Sequence, residues 1–117
     1  MVIKNAKIEG AIVSFNDRNN LSATIDFKTY SAGHFTVCFD FTKLADVQRL
    51  QKLMNYVEVS KFDDLQGKIV RVGYISGRCF VGFGHPLEDT FVPIKTDTFT
   101  EVPESKFEEF AKVKLTD

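Results

Sequence analysis

The stretch from Phe62 to His85, FDDLQGKIVRVGYISGRCFVGFGH, decides the fold. Ile69 to Ile75 is apolar on both parities except at Arg71, the pattern of a strand buried on both faces. Ser76-Gly77 supplies a tight turn, and Arg78 to Gly84 returns as an antiparallel partner. Gly82 and Gly84 lie two apart, so they share one face. A backbone, a ring or a ligand can approach closely there. The GFG triplet is not a dinucleotide fingerprint, because a third glycine and a following helix are missing.

Working outward, the segment before this hairpin is the best helix candidate. Leu44, Val47, Leu50, Leu53, Met54 and Val57 recur at three- and four-residue spacing, with Thr42 available as a cap and Asp46 in the first turns. Arg49 and Lys52 fall off this stripe. Either they solvate the outer helix face, or one of them reaches a ligand across a subunit boundary. Upstream lie three strands. Residues 2–15 change apolar face near Gly10, which predicts a bulge or bend. Asn16 to Asn20 is a turn, and Leu21, Ala23, Ile25 and Phe27 alternate with polar residues. Phe35, Val37, Phe39 and Phe41 line one side of the third strand. Downstream, Thr90 to Ile94 is a short strand that Pro93 restricts to an edge. Ser105 with Glu108 reads as a capping box, and Phe107, Phe110, Ala111 and Leu115 give a short C-terminal amphipathic helix. The expectation is a single α+β domain over residues 1–117. A mainly antiparallel sheet of five to six strands is packed by one central helix within residues 1–94, and residues 95–117 extend it with a short helix.

The chain has 117 residues with 15 Lys plus Arg against 16 Asp plus Glu, which is not the net basic footprint of a duplex nucleic-acid binder. No apolar run approaches the roughly 20 residues of a membrane span, and a cytoplasmic location is expected. Twelve Phe and no Trp put much apolar area into rings without a polar handle, which points to a large core and a subunit interface, hence a homo-oligomer. Cys38 and Cys79 sit in strand-like apolar runs and read as buried reduced thiols.

Little in the pattern is catalytic. Asp63 and Asp64 are adjacent, so they do not converge on one site without special geometry, and turn roles are commoner. The two His and two Cys show no zinc spacing. No metal and no cofactor are expected, and the chain is not expected to be an enzyme. The interest that remains lies beside the glycine hairpin: Arg78 at its turn, His85 at its end and Phe91 just beyond. A cation, a ring and bare backbone together can hold a nucleotide by phosphate contacts and stacking. The plainer alternative makes Phe91 a core residue and His85 a hydrogen-bonder of its loop.

Several segments resemble a family of small phage proteins. They are NAKIEG (Asn5 to Gly10), LSATIDF (Leu21 to Phe27), FDDLQGKIVRV (Phe62 to Val72), VGFGH (Val81 to His85) and TFVP (Thr90 to Pro93). The likeness spans roughly residues 1–93 and leaves the C-terminal helix uncovered. Phe62 stands where that family typically has Trp, and its GFGGY-like stretch appears only as Gly33 to Val37. The family is, or overlaps with, the anti-Thoeris sponge proteins. The resemblance implies an oligomer that sequesters a cyclic ADP-ribose-type immune signal at subunit boundaries without cleaving it. On that reading the ligand is a small anionic nucleotide, and Arg49, Lys52, Arg78, His85 and Phe91 are the positions expected to meet it. The alternative reading is a protein-binding inhibitor of a host defence enzyme, in the manner of an anti-CRISPR protein.

Overall fold

The computed structural model describes residues 1–30, 33–75 and 79–116, with side chains described to residue 111. Six strands form one antiparallel sheet: β1 (Val2–Phe15), β2 (Leu21–Thr29), β3 (Gly33–Asp40), β4 (Ile69–Ile75), β5 (Cys79–Gly84) and β6 (Phe91–Pro93), in the spatial order β3-β2-β1-β4-β5-β6. Helix α1 (Leu44–Tyr56) joins β3 to a short 3-10 turn before β4, and α2 (Glu104–Thr116) follows β6. The expected α+β architecture is the one observed. The Ser76-Gly77 turn lies outside the described residues.

The sheet is strongly curled. Three strands separate β3 from β5, so a flat sheet would hold them about 19 Å apart at the usual strand spacing. Yet the rings of Phe35 on β3 and Phe80 on β5 have centroids 5.5 Å apart, and Phe39 and Phe83 meet edge to face at 6.4 Å. Phe27 of β2 stacks on Phe80 at 5.5 Å. The concave face therefore closes on itself, and Leu50, Leu53 and Tyr56 of α1 complete that core.

The expected bend in β1 is a bulge. The β1–β2 register shifts between Ile8 and Gly10. Before it, β1 lies between β2 and β4; after it, β1 continues with β2 alone.

A second, smaller core lies on the convex face. Gly73 and Gly82 are cross-strand partners, and a Cβ on either would lie within 3 Å of the Phe107 ring. A Cβ on Gly84 would come within 2.3 Å of Phe91. Phe91 and Phe107 stack at 4.7 Å over this glycine floor, with Val81 and Ala111 beside them. The close approach that the two glycines permit is thus used by two rings of the same chain.

Several local expectations are corrected. Lys43, not Thr42, occupies the N-cap of α1 and makes no side-chain cap bond, because the Thr42 hydroxyl donates to Asp40 instead. Leu44 is exposed, since the helix meets the curled sheet only from Leu50 onward. Helix α2 starts at Glu104, so Ser105 lies inside it; the Glu104 N–H is capped from outside by Asp89 Oδ1 at 2.8 Å. Cys38 is exposed, because it alternates with the buried Val37 and Phe39 and so points off the core face. Among the described residues no helix is long and apolar enough to cross a membrane.

Candidate functional site

Two of the five predicted positions come together on the side of α1 that faces the loops flanking β6. Lys52 Nζ lies 3.6 Å from Glu101 Oε1, and the Tyr56 hydroxyl donates a short hydrogen bond to Glu101 Oε2. The Tyr56 ring meets His85 edge-on at 5.2 Å. Burial, reinforced by the Glu101 carboxylate, pushes the Tyr56 phenol well above its ordinary value, so it remains a donor. His85 Nδ1 accepts the N–H groups of Leu87 and Glu88, each at 3.0 Å, which leaves the ring proton on Nε2, 3.3 Å from Glu88 Oε2.

Arg49 sits one turn away, but it does not solvate the outer helix face. It is only 3% exposed. Its guanidinium binds Asp46 Oδ1 at 2.8 Å, Thr96 Oγ1 at 2.8 Å and the Thr96 carbonyl, tying α1 to the 95–101 loop. Its Nε is buried without a hydrogen-bond partner among the described residues. Phe91 is fully buried on the opposite face of the sheet, against Phe107. Arg78 lies outside the described residues. The chain re-enters description at Cys79, and β5 carries it roughly 17 Å from there to Gly84, next to His85.

Arg71 is a positioning residue that the sequence marked only as an exception in a buried strand. Its Nε donates to the His85 carbonyl at 2.7 Å, its Nη2 donates to the Glu88 carbonyl, and its guanidinium carbon lies 4.8 Å from the centre of the Phe91 ring. One cation thereby fixes both ends of the 85–88 loop. Only the position of Arg71 opposite Gly84, which leaves room for a long side chain, could have signalled this.

A second candidate went unread in the sequence. A cleft of about 260 Å³ lies between the β1–β2 turn and the start of α1, lined by Asn16, Asp17, Arg18, Cys38, Asp40, Lys43 and Asp46. Of its three carboxylates, Asp40 and Asp46 are occupied, while the exposed Asp17 forms no hydrogen bond or ion pair among the described residues. Asp40 Oδ1 accepts the Thr42 hydroxyl at 2.6 Å and the Thr42 N–H at 2.8 Å, while Oδ2 accepts Asn16 and Asn20 amides. The two Thr42 bonds, helped by the Asn20 and Asn16 amides and opposed by desolvation, hold the Asp40 carboxyl down at about 2. Asp46 accepts the Asp40 N–H and Arg49. Arg18 and Lys43 are exposed, and neither side chain forms an ion pair among the described residues. The free charge in the cleft is therefore two cations, Arg18 and Lys43, against the single carboxylate of Asp17. The signal for it, an Arg in one turn and a Lys in another, lies in residues 25 positions apart and has no spacing to read.

No protein-family model matches this chain, and no curated protein matches it.

Proposed function

We propose that this chain is a non-catalytic binding protein that sequesters a small anionic nucleotide, in the manner of the phage sponge proteins its segments resemble. The observation that carries the reading is the cleft with two unpaired cations, Arg18 and Lys43, in which Asp40 and Asp46 are committed to internal hydrogen bonds and only Asp17 opposes them. Such a site attracts phosphate as point charges and leaves room for a ligand fragment. The groups elsewhere that could move protons, His85 and Tyr56, are engaged in fixing a loop and a helix. That arrangement suits holding a ligand more than turning one over.

The test is a thermal-shift panel of cyclic dinucleotides and cyclic ADP-ribose isomers, with mass spectrometry of whatever the purified protein carries. A ligand present at 100 times its Kd should add about 2.7 kcal/mol. Arg18→Ala with Lys43→Ala should abolish the shift, whereas Lys52→Ala and His85→Ala separate the α1 side from the cleft. Released ligand should be chemically intact. A panel with no stabilisation, or a ligand recovered cleaved, rejects the reading.

The alternative, an inhibitor that binds a host defence enzyme, draws on one observation: an exposed apolar hairpin end at Ile12, Phe15 and Leu21. A stoichiometric host protein retained on the immobilised chain would favour it.

A further inference from the structure

The second half of β1 is an open, uncharged strand edge. Its last partner on that side is at Ile8, whose N–H donates to the Lys68 carbonyl at 2.8 Å and whose carbonyl accepts the Gly67 N–H at 2.7 Å. Beyond the bulge the direction of the backbone groups follows from the hairpin. The Asn16 N–H donates to the Asn20 carbonyl, so Asn16 and Asn20 are a bonded pair, and bonded pairs alternate along antiparallel strands. The Leu21 carbonyl confirms the phase, because it accepts from Phe41 on the other side of β2. Ala11, Val13 and Phe15 therefore turn their N–H and C=O groups away from β2, and no described residue pairs with them. Natural sheets blunt such edges with Lys, Pro or cover. Here residues 10–15 read GAIVSF, with no charge at all.

We propose that this edge pairs antiparallel with the same edge of a second copy, about a two-fold axis at Val13. The three outward-facing residues are symmetric about Val13, so Val13 meets its twin, and Ala11 of each copy meets Phe15 of the other. An isologous pairing of this kind needs a self-complementary strip, and a strip without charge meets its copy without repulsion. The side chains beside the edge are apolar and uncovered: Ile12 is 63% exposed, Val13 45%, Phe15 68% and Leu21 43%. Of the twelve Phe, Phe15 is the exposed one among the described residues. With full side chains of roughly 150–200 Å², these fractions offer at most about 800 Å² for the pair, plus the backbone edge. That falls short of the about 1,200–2,000 Å² of specific, stable complexes, so the dimer is reversible and in the micromolar range or weaker. The inference does not depend on any ligand.

The test uses the full chain without ligand. Sedimentation over about three decades of concentration, from about 1 µM to about 1 mM, spans weak dimers and should show mass rising from one chain to two. In the same samples the amides of Ala11, Val13 and Phe15 should gain protection from hydrogen exchange as concentration rises, while those of Ile12 and Ser14, bonded to β2, stay protected throughout. Val13→Lys sets like charges opposite each other and should weaken association about tenfold or more. Phe15→Lys, one pair removed from the axis, is the second variant, and thermal unfolding checks that each folds. A mass of one chain at every concentration overturns the proposal, including when a host protein is found on this edge instead. So does a dimer that both variants leave as tight as before.

Discussion

The two halves of β1 meet fates opposite to their composition: Val2 to Glu9 carries three charges and is the covered half, while Gly10 to Phe15 carries none and is the open one. Before the bulge, Ala6 and Ile8 are buried between β2, β4 and the curled concave core. After it, Ile12, Val13 and Phe15 stand exposed on a strand with one neighbour. Hydropathy alone would cover the open half rather than the charged one. The number of neighbouring strands decides instead. β4 runs only far enough to cover Val2 to Lys7, and the turn before it ends at Gly67 against Ile8. The covered half acts as a beam of the fold. The open half is surface that the fold holds rigid without using.

The strongest way to break this contrast is to truncate one isoleucine in each half. Ile8→Ala removes a fully buried side chain and should cost about 3–4 kcal/mol in denaturant unfolding. Ile12→Ala should stay within about 0.5 kcal/mol for the monomer. Similar losses at both sites would mean that the open half is packed after all. A somewhat smaller effect is expected where the covered half meets the convex core. Gly82→Ala would bring a Cβ within 2.1 Å of the Val92 carbonyl and against Phe107, and should cost about 2–3 kcal/mol. Adding Phe107→Ala should not restore that loss, because the backbone clash remains. The smallest effect concerns the tie that holds the open hairpin tip. Asp40 is held at about 2 against an ordinary 3.8, so its bonds to Thr42, Asn16 and Asn20 stabilise the fold fully above about pH 4. Its contribution should fade as pH falls from 4 towards 2, and Asp40→Asn should flatten that part of a stability-versus-pH curve. An unchanged acid limb in the variant would show that the tip is not anchored this way.

Much of the fold was legible because the signals are local. Alternation along Leu21 to Phe27 and Phe35 to Phe41 marks strands, and the parity switch at Gly10 marks the bulge, since a strand presents every second residue to one face. The helix stripe was legible for the same reason at its own period. The fate of the polar residues was not. Arg49 looked like outer-face solvation from its offset, yet the 95–101 loop folds over it and supplies Thr96 as an acceptor. Arg71 looked like a flaw in a buried strand, and it clamps a loop more than a dozen residues downstream in sequence. The cleft cations come from two separate turns. Nothing in the spacing of Arg18 and Lys43 announces that the β1–β2 turn meets the start of α1.

The glycines and phenylalanines mark the division most clearly. The sequence by itself determined that a group can approach Gly82 and Gly84 closely, because a missing Cβ on one strand face is a fixed local fact. It also determined that most of the twelve phenylalanine rings would be buried in a core or a subunit interface. Only the tertiary structure decided that the approaching groups are Phe107 and Phe91 of the same chain, and that Phe15 is left uncovered. The reason is the curl. Periodicity reports which face a residue takes, but which faces meet depends on how far the sheet bends. That bend brings β3 onto β5 and fills the concave side with rings, while the turn at Gly67 ends β4 short of the open half of β1.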